Sequence, residues 1–93
     1  MVSQVLGIET LWNRIIAYEG ETFTQKKNQE FTFIVKGNSI VPSTTNWNIP
    51  KSSFEKALEY VPLKKVSVIR RVCQGPSYVY AIMMDQRIRN GFW

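Results

Sequence analysis

Residues 30–36, Glu-Phe-Thr-Phe-Ile-Val-Lys, put Phe31, Phe33 and Val35 on one side of an extended chain and Thr32, Ile34 and Lys36 on the other. A period of two in β-branched and aromatic residues is the pattern of a strand. Gly37-Asn38 follows at once, two residues that tolerate positive φ. Ser39-Ile40-Val41 then returns, and Pro42 ends the run. A hairpin in the middle of the chain follows, with an apolar face that the remaining elements must cover. Thr22-Phe23-Thr24 is short, alternating and β-prone, and the polar stretch 25–29 reads as a hairpin loop. The pattern predicts a three-stranded antiparallel meander over 22–42.

On both sides of the hairpin the apolar period lengthens. Ser3 is a candidate N-cap, and Val5, Ile8, Trp12 and Ile15 recur at helical spacing, widened by Leu11 and Ile16. Gly20 stands as a stop, so a helix is expected over 4–18. Ser52-Ser53-Phe54-Glu55 has the form of a capping box, with Glu55 reaching back to the Ser52 N–H. Phe54, Ala57, Leu58 and Val61 then form one apolar helical face, stopped by Pro62. Residues 66–74 fit two patterns. Val66, Val68 and Arg70 alternate as in a strand, whereas Ser67 as cap, Ile69, Val72 and Cys73 as apolar face and Gly75 as stop make a short helix. The helix is preferred. Ser77, after Gly75-Pro76, is the expected cap of a last helix over 78–88. Tyr78 to Met84 is apolar on every side, so that helix is expected in the core. The expected fold is one α+β domain over 1–93. It has an N-terminal helix, a three-stranded antiparallel meander, and two or three C-terminal helices packed on one sheet face.

Composition narrows the chemistry. The chain has no histidine, one cysteine (Cys73) and one aspartate (Asp85). Catalysis at neutral pH draws on groups titrating near 7, on paired carboxylates or on metal-ligand clusters. Glu19 and Glu21 flank Gly20, but two Glu beside a helix end read as solvated. The glycines at 37, 75 and 91 are isolated, so no Gly-rich phosphate loop is present. Cys73 has Arg70 and Arg71 nearby but no second thiol or histidine, and reads as a buried or incidental cysteine. The chain is expected not to be an enzyme and to hold no metal or cofactor. No apolar run approaches the roughly 18 residues of a membrane span. The N-terminal residues lack a basic start, and a lone cysteine suits a reducing compartment. The expected setting is cytoplasmic, away from membranes.

The net charge of +5 is unevenly distributed. Residues 1–62 sum to zero. The whole excess lies in 63–93, where Lys64, Lys65, Arg70, Arg71, Arg87 and Arg89 face only Asp85. Such asymmetry suits a polyanion, and equally a solvated face. A Gly-Pro turn between two basic helices has a loose helix-turn-helix outline, but Tyr78–Met84 is too apolar to enter a major groove. Phosphate binding would instead use the basic segment, the hairpin tip at Lys26 and Lys27, or the polar loop Ser43-Thr44-Thr45-Asn46-Trp47-Asn48. In that loop Trp47 could stack on a base, or it could staple the loop to the helix that follows; the sequence favours the staple.

The runs Gly-Glu-Thr-Phe (20–23), Phe-Thr-Phe-Ile-Val-Lys-Gly-Asn (31–38), Pro-Ser-Thr-Thr-Asn (42–46), Ile-Pro-Lys-Ser-Ser-Phe-Glu-Lys-Ala-Leu (49–58) and Gly-Pro-Ser-Tyr-Val-Tyr-Ala-Ile (75–82) together resemble a small bacterial domain of uncharacterised function. The resemblance spans most of 8–88. It implies a bacterial setting and transfers no site residues. The functional expectation is a non-enzymatic binding module for DNA or RNA phosphates, using Lys64, Lys65, Arg70, Arg71, Arg87 and Arg89 with Lys26, Lys27 or Trp47 assisting. The alternative is a protein-interaction or self-associating module, working through the meander edge or the aromatic tail Phe92-Trp93.

Overall fold

The structure, a computed structural model, describes residues 7–25, 28–45, 47–61, 63 and 65–89. It is an α+β fold, with a leading helix, antiparallel sheets of two and three strands, and closing helices. Helix α1 (Ile8–Ala17) buries Leu11, Trp12 and Ile15, three members of the stripe seen in the sequence. The expected cap Ser3 and residues 4–6 lie outside the described residues.

The expected meander is divided into two antiparallel ladders. Strand β1 (Phe23–Thr24) pairs with β2 (Glu30–Phe31). Strand β3 (Phe33–Lys36) pairs with β4 (Ser39–Pro42), and β5 (Ile49–Pro50) adds to the far side of β4. The division falls at Thr32. Its N–H donates to Ser43 Oγ at 3.0 Å, and its carbonyl accepts from the Ser43 N–H at 2.7 Å. The 30–36 run therefore pairs backward with its first half and forward with its second. The outer side of β3 is closed by the turn after α1. There the Gly20 N–H reaches the Phe33 carbonyl at 3.0 Å, and the Val35 N–H donates to Glu19 Oε2 at 2.7 Å.

Helix α2 (Lys51–Leu58) starts two residues earlier than a Ser52 cap requires. Pro50 occupies the cap position, and Ser52 lies inside the helix, so the capping box does not form. The reason is the sheet. Pairing of Ser39 with Pro50 continues into a 2.7 Å bond from the Lys51 N–H to the Asn38 carbonyl, which fixes where the strand ends and the helix begins. Residues 66–74 are neither strand nor α-helix. Val66–Val68 form a single 3₁₀ turn, followed by turns. Two valines in three residues are poor helix formers, and the turns wind about the buried Ile69, whose carbonyl accepts from the Val72 and Cys73 N–H groups.

The last helical stretch is also split. Helix α3 (Pro76–Met83) begins with Pro76 at its first position and Gly75, at φ 63°, as its cap, so Ser77 is helical rather than capping. Met84-Asp85 interrupts the helix, and one turn, α4 (Gln86–Arg89), follows. Val79, Ala81, Ile82 and Met83 are buried, and Tyr78, Tyr80 and Met84 are half-buried against the core, as the all-round apolar pattern requires. The core joins α1, α2, α3 and the inner sheet face. Trp12 and Phe54 lie 5.8 Å apart between ring centres, Phe23 and Phe33 5.5 Å, and Tyr78 meets Phe31 edge-on at 5.0 Å. Cross-strand pairs Phe33–Pro42 and Ile40–Ile49 line that buried face, and Ile34 points to the exposed one. No helix among the described residues is long and apolar enough to cross a membrane.

Candidate nucleic-acid interface

The basic segment is displayed by the burial of its apolar neighbours. Ile69 and Cys73 are buried, four residues apart, and Arg70 and Arg71 between them are exposed, as is Lys65 before the 3₁₀ turn. Among the described residues none of these three bases has an ion-pair partner. The segment is anchored to α2. The Cys73 thiol donates to the Ser53 carbonyl at 3.0 Å, and the Gln74 N–H donates to Ser53 Oγ at 3.2 Å. Ser53 is the one buried polar residue among those described, with 3% of its surface exposed. Burial raises the Cys73 thiol above its ordinary pKa, partly offset by the nearby Lys56 charge, so it stays protonated and inert.

The Trp47 loop is pinned rather than floppy. Thr44 and Tyr78 share a hydroxyl–hydroxyl bond, and the Trp47 N–H donates to Thr45 Oγ1 at 3.3 Å. Gln74 Nε2 donates to the Asn48 carbonyl at 3.1 Å. One glutamine thereby ties the Trp loop to the turn that carries Arg70 and Arg71. Trp47 is 58% exposed, which leaves more than half of its surface open to solvent. Each of the loop's three described hydroxyls has one partner in the protein: Ser43 Oγ accepts from Thr32, Thr45 Oγ1 accepts from Trp47, and Thr44 shares a bond with Tyr78, which leaves the Ser43 and Thr45 O–H groups able to donate. Asn46 lies outside the described residues.

The other predicted bases have different surroundings. Arg87 is half-buried and engaged by its neighbours. Its Nε and Nη2 donate to Asp85 at 2.9 and 3.0 Å, and Nη2 also reaches the Thr22 carbonyl at 2.7 Å. Its guanidinium lies 4.2 Å over the Phe23 ring and 3.9 Å from Glu21. Arg89 is half-buried on α4, which packs on α1 and α3. Lys26, Lys27 and Lys64, and the tail Phe92-Trp93, lie outside the described residues.

No protein-family model, curated protein or solved structure matches this chain. The bacterial setting implied by the sequence resemblance gains no support from relatives. Among the described residues no group of three or more His, Cys, Asp or Glu could hold a metal ion. Cys73, Asp85 and Arg87 have ionisations displaced by the fold, and all three move away from neutrality. A shallow depression near Glu9, Lys51 and Glu55 has its lysine already bonded to Glu9 at 2.7 Å. Sequence reasoning missed Gln74, the residue that joins loop and basic turn. Its partner is 26 positions away, and a lone Gln before a Gly-Pro turn carries no local signal of such a bond.

Proposed function

We propose that this chain is a non-enzymatic binding module that holds nucleic-acid phosphates. Lys65, Arg70 and Arg71 make the principal contacts, with Lys64, Lys26 and Lys27 assigned a supporting role on sequence grounds. The observation that carries this reading is the exposed Arg70-Arg71 pair, without an internal counter-ion among the described residues, on a turn fastened at both Ser53 and Asn48. An anchored turn presents both arginines without ordering the backbone on binding, and their planar guanidinium suits phosphate oxygens. Arg87 takes no part, since Asp85, Glu21 and the Phe23 ring already engage it. Strand addition at β3 is less well supported, because Gly20 and Glu19 already engage its Phe33 carbonyl and Val35 N–H.

The test is a titration of labelled duplex and single-stranded oligonucleotides at several salt concentrations. Each phosphate contact contributes about −0.9 on duplex, or about −0.7 on a single strand, to the slope of log K against log salt. The double variant Arg70→Ala/Arg71→Ala should therefore bind more weakly, with a slope shallower by about 1.8 on duplex. Absence of binding at low salt, or a slope the variant leaves unchanged, rules the reading out.

A further inference from the structure

We infer that Trp47 is a base-stacking platform and that the ligand is single-stranded nucleic acid, read with little regard to sequence. The inference rests on the phosphate-binding reading above and adds the chemistry of the bases. Scattered exposed apolar residues are ordinary on a protein surface, and Trp47 is distinguished by how it is held. Backbone groups on both sides of the indole are fixed: its own N–H by Thr45, and the next carbonyl by Gln74. The loop is further tied to α3 through Thr44 and Tyr78. A wide, flat aromatic is thus presented on an anchored backbone, with 58% of its surface open.

The same glutamine links the Arg70-Arg71 turn to this loop. Arg71 is three residues from Gln74, and Trp47 adjoins the Asn48 that Gln74 grips, so the Arg71 and Trp47 Cα atoms are at most about 25 Å apart, a span that a few nucleotides of extended strand can cover. A strand whose phosphates meet the arginines can lay a base against the indole. Duplex DNA keeps its bases stacked inside and cannot. Ser43 and Thr45 each accept a backbone N–H and Thr44 is bonded to Tyr78, so part of the hydrogen-bonding capacity of the loop's hydroxyls goes into shaping it. Stacking is then the main base contact, and every base offers a π-face.

The experiment compares three labelled probes of roughly 12 units, an oligo(dT) strand, an abasic strand of the same length and a duplex, by fluorescence anisotropy. The parent should bind oligo(dT) at least about tenfold more tightly than the abasic strand. Trp47→Ala should bring oligo(dT) down to the abasic level while leaving abasic affinity, salt slope and unfolding midpoint unchanged. Trp47→Phe, which keeps an aromatic face, should retain much of the preference. Equal parent affinity for the two strands, or a preference that survives Trp47→Ala, overturns the stacking platform. If Arg70→Ala/Arg71→Ala still weakens binding in that event, phosphate binding itself stands. Failure of all three probes to bind at low salt removes both.

Discussion

Asp85, the chain's single aspartate, has its carboxylate used twice by the fold. Oδ1 accepts the Arg87 N–H at 2.9 Å, capping the one-turn helix α4, and both oxygens accept from the Arg87 guanidinium. The Arg87 side-chain bonds hold the Asp85 carboxyl below its ordinary pKa, against the opposing effect of partial burial. A carboxyl with a lowered folded pKa contributes stability above its unfolded value of about 3.9, and that contribution is lost as pH falls through the folded value. Asp85→Ala should therefore lower the unfolding free energy at pH 7 by about 1–2 kcal/mol, through loss of a cap and of bonds to a charged partner. Asp85→Asn, still able to cap, should cost less. Urea unfolding at pH 7 and near pH 3 is the check. The parent–variant difference should shrink in acid, and an equal difference at both pH values would place the effect elsewhere.

The boundaries of the elements were legible to within a few residues, and their caps were not. Ser52 and Ser77 had the right chemistry for caps, yet Pro50 and Gly75 occupy those positions. For α2 a contact distant in sequence, β4 on β5, goes with the early start; for α3 the signal is local, Pro76 at the first helical position behind a left-handed Gly75. Gly75 also shows why a glycine is needed. Its φ of 63° is left-handed, and a Cβ there would lie 2.8 Å from Ile49 Cδ1. Gly37, at φ 59° in the β3–β4 turn, has open space around it. Gly75→Ala should cost about 1–3 kcal/mol, since backbone strain and crowding add. Gly37→Asn should cost well under about 1 kcal/mol, because Asn tolerates the left-handed region. Thermal unfolding of both variants tests the contrast. A Gly75→Ala midpoint at or above that of Gly37→Asn would mean that the α3 start is more pliant than its geometry implies.

Across the whole molecule, one core joins α1, α2, α3 and the inner face of both sheets. Ile82 is fully buried there, so Ile82→Ala should lose about 2–5 kcal/mol, read as a lowered denaturant midpoint with little change in slope. An unchanged midpoint would mean that α3 is not central. The α+β class, the hairpin about Gly37-Asn38 and the burial of Tyr78–Met84 could be read from the chain because each follows from local periodicity. A strand buries every second residue and a helix every third or fourth, whatever lies opposite. The split of the meander at Thr32 and the start of α2 at Pro50 depend on partners far along the chain, which no local pattern encodes. Charge behaved in the same way. The sequence located the excess in 63–93, but only the fold separated Arg87, neutralised by Asp85 and stacked on Phe23, from Arg70 and Arg71, left open on an anchored turn. Trp47 and those arginines are more than 20 residues apart in sequence, and a single bond from Gln74 to the Asn48 carbonyl brings their segments together. Composition sets which groups a protein possesses. Which of them remain free to meet a ligand is settled by long-range hydrogen bonds and burial, because these exist only once the chain has closed on itself.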